Sequence, residues 1–405
     1  MQYLYKIFRF HEHSYFEKKY NERFHMDSTI KFNLYIKPMK QPNKFQLYYV
    51  PTNDIIKKII DIYQISGQLD LILNKLPPVA KNQFVSECLL EELYHTNQLE
   101  GVQSTKKEIA ESIRSVRLKK ESKTRFNSMI NSYFSLLDKE VSLPTNPADI
   151  REIYDEITEG EIEKSELPDG DIFRKESVSV LKKSGSGKVI HRGVVPESKI
   201  IEEIERLLDM LNNLEEVPMI VRVAVGHYYF GYIHPFYDGN GRTSRFISSL
   251  YLSKTLGEIQ SLSLSRGCNK FKGKYLDAFE DSNSIMNRGE MNSFIDTFLT
   301  IILETLKEMN AELKEKVELM DIAIEKIKND KNIPSEKHSS LMFILAQNNF
   351  FSNNEGLTVK ELAQVMELSE ATVRKIGKDL IDRSLIKQRG IRPALYYIDD
   401  EYFEH

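Results

Sequence analysis

Cysteine is scarce in this chain: Cys88 and Cys268 are its only two among 405 residues, and they form no CxxC or other metal-ligand spacing. That excludes a disulfide-stapled secreted domain and a thiolate zinc site, and makes a reducing, cytoplasmic compartment the expectation. No run of about eighteen apolar residues occurs, so no membrane span is expected. The opening residues Met1 to His13 mix aromatics with charges and lack the apolar core of a signal peptide. An excess of one charge is missing too, since 56 Lys and Arg stand against 60 Asp and Glu for a formal net charge of −4. Whole-chain electrostatics therefore supply no reason to bind nucleic acid or anionic lipid. His227 and His234 do not have a familiar zinc spacing, and His227 reads as a helix residue. What is present is a hydrophobic content of 41% with well-mixed charge, the composition of a globular protein long enough for two or three domains.

Four segments are legible. Residues 1–80 mix strand-like and helical patterns and end at Leu76-Pro77-Pro78. Residues 81–300 are mainly helical. From Leu299 to Ile327 apolar residues recur every three or four positions, including Leu306, Leu313, Met320 and Ile324, which predicts a helical connector over 301–333. It could link two domains, pair with a second chain, or pack as one or two helices on the core. Residues 334–405 carry a short helix pattern near Leu357, a turn at Glu367-Leu368-Ser369, a second helix from Glu370, and two strands around a turn between Leu385 and Ile398. Helix-turn-helix plus hairpin is the pattern of a winged helix. Thr372, Arg374, Lys375 and Lys378 lie on or near its second helix, so DNA binding through 357–398 is permitted. The basic footprint is thin among many acids, and a structural or protein-binding task fits slightly better.

The densest chemistry lies in His234-Pro-Phe236-Tyr-Asp238-Gly239-Asn240-Gly241-Arg242-Thr-Ser-Arg245. Gly239 and Gly241 let backbone N–H groups approach an anion closely, because no Cβ intervenes. The residues after them read as an amphipathic helix, whose positive N-terminus would face the same anion. Arg242 and Arg245 share a helix face and can each grip phosphate oxygens with a planar fork. Asp238 offers a hard oxygen to Mg²⁺, and His234 titrates near neutrality and could accept a proton from an attacking hydroxyl.

This segment resembles the Fic family signature, His-x-Phe-x-Asp/Glu-Gly-Asn-Gly-Arg-x-x-Arg, at every fixed position. The resemblance implies a mainly α fold: a Fic-type helical core with a β-hairpin flap, here with a C-terminal winged helix-turn-helix domain. It implies a protein adenylyltransferase that moves AMP from ATP to a hydroxyl of a target protein. By that carry-over His234 is the base and Asp238 holds Mg²⁺. The Gly239–Gly241 backbone forms the anion hole, Asn240 positions the α-phosphate, and Arg242 and Arg245 hold the β- and γ-phosphates. Phe236 anchors the loop. The phosphotransferase branch typified by Doc has lysine at the position of Gly241, so Gly241 favours AMP transfer.

Three further segments match family features. Thr96-Asn-Gln-Leu-Glu100-Gly101 resembles the inhibitory pattern Ser/Thr-x-x-x-Glu-Gly/Asn, which implies that Glu100 pairs with Arg245 and displaces the γ-phosphate. Asp171 to Ile190 alternates, turns and alternates again, which predicts a hairpin flap on which an extended target segment would dock. Lys274-Tyr275-Leu276-Asp-Ala278 resembles the adenosine-pocket segment with Leu276 in place of its second tyrosine; Tyr275 would pack near adenine and Asn283 could hydrogen-bond it. Other readings stand beside the leading one: AMP removal or transfer of another phosphate-containing group on the same fold, and an ATP-sensing, DNA-binding regulator. Self-modification and a homodimer are both compatible with the pattern.

Overall fold

A computed structural model describes residues 1–117, 125–181, 189–352, 356–391, 393–398 and 401–404. The chain divides into two compact units, one of residues 1–66 and 90–306 and the other of residues 67–89 and 307–405.

The first unit opens with helices α1 (Leu4–Phe10) and α2 (His13–Phe24) and the antiparallel pair β1 (Ile30–Ile36) and β2 (Phe45–Tyr49). These fifty residues are built into the unit through buried polar ties. Glu290, fully buried, accepts from Arg23 Nη1 at 2.7 Å and from the Leu4 backbone N–H at 3.0 Å. Val50 and Asn292 exchange hydrogen bonds of 2.9 and 2.7 Å.

Then follow α3 (Asn53–Leu73), α4 (Pro78–Glu100), α5 (Lys106–Arg117), α6 (Asn127–Leu137) and α7 (Pro147–Thr158). The start of α7 is fixed locally: Asn146 and Asp149 form a capping box and Pro147 stands in the first turn. A hairpin of β3 (Ser179–Leu181) and β4 (Val189–Arg192) precedes α8 (Glu197–Asn213), α9 (Met219–Ile233) and α10 (Asn240–Leu256). The short helices α11 (Glu258–Ser261), α12 (Leu264–Lys270) and α13 (Lys272–Ser282) lead to α14 (Asn292–Asn329), a single helix where the periodicity allowed one or two.

Helices α9 and α10 form the centre. Nearly every residue of α9 is buried, as its apolar sequence demands. Helix α10 corrects the expectation of an amphipathic helix, because Arg242 through Ser253 are all buried. Its serines tolerate this by bonding to main chain: Ser248 Oγ donates to Ser244 O at 2.8 Å, and Ser249 Oγ to Ser261 O at 3.0 Å.

Within the second unit, α15 (Glu336–Phe351), α16 (Val359–Met366) and α17 (Glu370–Asp382) enclose a core that includes Leu341, Leu345, Leu362, Val373, Ile376, Leu380 and Tyr396. Strands β5 (Leu357–Thr358), β6 (Lys387–Arg389) and β7 (Leu395–Tyr397) form an antiparallel sheet in the order β5-β7-β6, and α18 (Glu401–Glu404) ends the described chain. Thr358 and Glu361 make a capping box on α16, and Ser369 caps α17 by accepting from Thr372 N–H. Arg374, on the exposed side of α17, pairs with Glu370 one turn earlier at 2.7 Å. Arg392, within the expected hairpin, lies outside the described residues. Among the described residues no helix is long and apolar enough to cross a membrane, and Cys88 and Cys268 are buried and joined in no disulfide.

Candidate active site

The loop between α9 and α10 holds the signature. His234 ends α9 in a left-handed conformation (φ 53°), an unfavourable backbone for a side chain with a Cβ. A buried cation holds it there. The Arg174 guanidinium donates to His234 O at 2.9 Å, to Val194 O at 3.0 Å and to Glu176 O at 2.6 Å. Burial pulls the Arg174 pKa down to about 10, still well above neutrality. The segment leading to β3 is likewise pinned, since Glu197 accepts from the backbone N–H groups of Asp171, Ile172 and Phe173.

This corrects the reading of alternating strand from Asp171. Strand begins only at Ser179, because Phe173 and Arg174 point into the core and the backbone before them bonds to Glu197. The hairpin tip, residues 182–188, lies outside the described residues.

Phe236 is fully buried, stacked on Tyr154 at 3.7 Å between centroids and edge-on to Phe173 at 5.5 Å. Asn240 clamps the loop: its Oδ1 accepts from Phe236 N–H at 2.9 Å and its Nδ2 donates to Phe236 O at 2.8 Å. The amide expected on an α-phosphate is thus already committed to the loop. Gly239 caps α10 with φ 80°, a conformation suited to glycine, and its N–H donates to Asp238 Oδ1 at 2.6 Å. The Asp238 carboxylate is exposed at this turn. The first N–H groups of α10, from Asn240 to Arg242, have no acceptor within the helix and form its positive end.

The carboxylate of Glu100 lies against that end. Added to Gly241, a Cβ would collide with Glu100 Oε1 and reach Arg245 Nη1 at 3.0 Å. Glu100 Oε1 accepts from Arg245 Nη2 at 2.8 Å. Thr96, one turn earlier on α4, accepts from Arg245 Nε through its hydroxyl at 2.9 Å and from Nη2 through its carbonyl at 3.2 Å. Burial opposes the charge on Arg245, yet Glu100 together with Tyr275 and Cys268 outweighs it and the net pKa shift is upward.

Arg242 is 1% exposed, and its Nε and Nη1 are buried without hydrogen-bond partners. Burial lowers its pKa, while Asp238, Glu100 and Glu161 favour the charge. A buried guanidinium with unused donors is costly unless an anion completes it. His234, half-buried, has its pKa lowered to about 4 by burial and by His191 and Arg174, so its imidazole is neutral at pH 7.

Thus the fold gathers His234, Asp238, Gly239, Gly241, Arg242, Arg245, Thr96 and Glu100 from α4, α9, α10 and the loop between the last two. Tyr275 stands next to this group. Its ring is buried and its hydroxyl bonds to His227 Nε2 at 2.7 Å, beside Arg245 and Cys268. Asn283 is engaged by the Tyr228 hydroxyl at 2.8 Å. Among the described residues no group of three or more His, Cys, Asp or Glu side chains converges as a metal cage.

Two contributors escaped the reading of the sequence. Arg174 sat in a stretch read as strand, and its partners lie up to sixty residues away. Glu92 is fully buried on α4, accepting from Ser265 N–H at 2.8 Å and Ser265 Oγ at 2.5 Å. Burial raises its pKa against those bonds and the nearby Arg245. The spacing of four among Glu92, Thr96 and Glu100 marks one helix face and was the available signal.

Residues 144–252 match the Fic/DOC family. The chain is 38% identical over 64 residues to protein adenylyltransferase fic-1 of Caenorhabditis briggsae, and 34% identical over 58 residues to that of Caenorhabditis elegans. Those stretches are 15% and 14% of this chain but only 12% and 11% of the relatives' own lengths. A Fic family protein from Desulfovibrio desulfuricans G20 shares the fold with a TM-score of 0.52 at 17% identity, over 87% of this chain and 97% of that one. The region from α7 into α10 is thus similar to the Fic/DOC family.

Proposed function

We propose that this chain is a protein adenylyltransferase that uses ATP and is held off by Glu100. The observation that carries the reading is one carboxylate in two places at once: Glu100 lies over Gly241 at the positive end of α10 and pairs with Arg245 at 2.8 Å. A side-chain anion seated in an anion cradle supports a polyphosphate as the natural occupant, and the unfilled donors of Arg242 fit a second phosphate.

In the uninhibited enzyme Arg242 and Arg245 would bind the β- and γ-phosphates, and the first N–H groups of α10 the α-phosphate. Neutral His234 would take the proton of the target hydroxyl as its oxygen bonds to the α-phosphorus; the bond from that phosphorus to the β-phosphate oxygen breaks, and pyrophosphate leaves. Asp238, an exposed hard oxygen donor beside Gly239, fits Mg²⁺ that takes the rest of its shell from phosphates and water. When bound, that ion would offset the charge of the leaving group.

The hairpin of β3 and β4 would add an extended target segment as a further strand, since its base is tied to the loop through Arg174. The C-terminal sheet and helices we read as a winged helix with a protein-docking task.

The test compares wild type, Glu100→Gly and Glu100→Gly/His234→Ala after incubation with ATP and Mg²⁺, by intact mass. Addition of one AMP only in Glu100→Gly is expected. A Glu100→Gly protein that binds ATP but modifies neither itself nor any hydroxyl-bearing protein refutes the proposal.

A further inference from the structure

All three hydrogen bonds between Arg245 and α4, two to Thr96 and one to Glu100, lie on the helix whose carboxylate must leave the cradle. When the Glu100 carboxylate leaves, Arg245 keeps from α4 only its bonds to Thr96. A further neighbour of its guanidinium comes from α13. The Tyr275 hydroxyl lies against the Arg245 guanidinium and the Cys268 thiol, and bonds to His227 Nε2 at 2.7 Å. His227 on α9 is 2% exposed, and its Nδ1 meets Ser248 Oγ at 2.9 Å and Ser244 Oγ at 3.1 Å on α10.

Arginine only donates, so toward Arg245 the Tyr275 oxygen can only accept, and one consistent direction then sends its single proton to His227 Nε2. His227 is then the neutral tautomer carrying its proton on Nδ1, which donates to Ser248 Oγ. Ser248 passes its own proton to Ser244 O at 2.8 Å. Along that path Tyr275, His227 and Ser248 each donate to a named acceptor, which holds the hydroxyl of Tyr275 in one orientation.

We propose that Tyr275, oriented by His227, is a positioning residue that keeps Arg245 aimed at the terminal phosphate of the nucleotide once Glu100 has left. This rests on the proposed nucleotide site. It replaces the expected adenine contact of Tyr275 with a phosphate-side role.

Two measurements test it. In the Glu100→Gly background, Tyr275→Phe keeps the ring and removes the hydroxyl. Losing the interaction of the hydroxyl with the Arg245 charge weakens ATP binding by about 10-fold and leaves AMP binding unchanged. His227→Ala repeats this selective loss, and His227→Gln, which retains an acceptor and a donor, restores most of it. Equal weakening of ATP and AMP, or no weakening of ATP, overturns the assignment.

The second measurement needs no nucleotide. Ring ¹⁵N shifts of His227 in the wild type should report the Nδ1–H tautomer between pH 5 and 8, roughly the range in which a histidine of ordinary pKa would change charge, and to collapse toward mixed tautomers in Tyr275→Phe. An Nε2–H tautomer overturns the relay directly. If Glu100→Gly binds neither ATP nor AMP while the Nδ1–H tautomer is found, the nucleotide-site reading fails and the relay stands as an orienter of Arg245.

Discussion

Replacing Gly241 by alanine probes the occupied cradle without touching either charged residue. In the wild type the new methyl group meets Glu100 Oε1 and Cδ, the latter at 2.7 Å, so the carboxylate must leave Arg245. The side chains of Arg245 and Glu100 are 2% and 21% exposed, so the pair is mostly desolvated. Breaking it costs about 2 kcal/mol after discounting the solvated part of Glu100. Alanine in place of glycine within a helix returns up to about 1 kcal/mol, and Gly241 has an ordinary helical backbone. The net expectation in the wild type is a destabilisation of about 1 kcal/mol, the difference of those two estimates.

In a Glu100→Ala background the same substitution finds only Arg245 Nη1 at 3.0 Å, the end of a flexible side chain, and should stabilise by up to about 1 kcal/mol. Thermal and urea unfolding of the four proteins closes a double-mutant cycle with a coupling of about 2 kcal/mol. Effects of the same sign and size in both backgrounds would refute the placement of Glu100 over Gly241, and with it the occupied cradle.

Arg174→Met leaves carbonyls of Glu176, Val194 and His234 without their donor; at about 1 kcal/mol each, unfolding free energy should fall by about 3 kcal/mol, and a loss below about 1 kcal/mol in urea unfolding contradicts its role as the clamp of the loop. For pH dependence, the lowered values of His234 and His191 (both about 4) and His227 (about 3) mean that the folded chain keeps these rings neutral where the unfolded chain protonates them. Their stabilising contribution is fully present above about pH 6.5 and is lost as pH falls toward 4. By ¹H–¹³C NMR, His234 should titrate near 4, and lower still in Glu100→Gly because Glu100 raises its pKa; titration near 6.5 contradicts its burial.

The parts of the site legible in the sequence share one property: their function follows from residues close in the chain. Loop, helix start and the spacing of Arg242 and Arg245 follow from local geometry, since glycines, a helix N-terminus and a three-residue offset mean the same thing wherever they occur. Thr96 and Glu100 are legible for the same reason, being one turn apart.

What neighbours what across many residues was not legible. Arg174 reads as part of an alternating strand until its guanidinium is seen to donate to His234 O and Val194 O. The sequence did not show that both ends of the Asn240 amide meet Phe236. Nor did it show that the Tyr275 hydroxyl meets His227 beside Arg245.

By itself, then, the sequence determined the helical class, the anion-handling loop and the charge types available to it, because periodicity and short spacing act through the covalent chain. Only the tertiary structure decided which donor meets which acceptor, because burial removes water as the default partner and leaves each polar group to whatever the packing of distant helices brings.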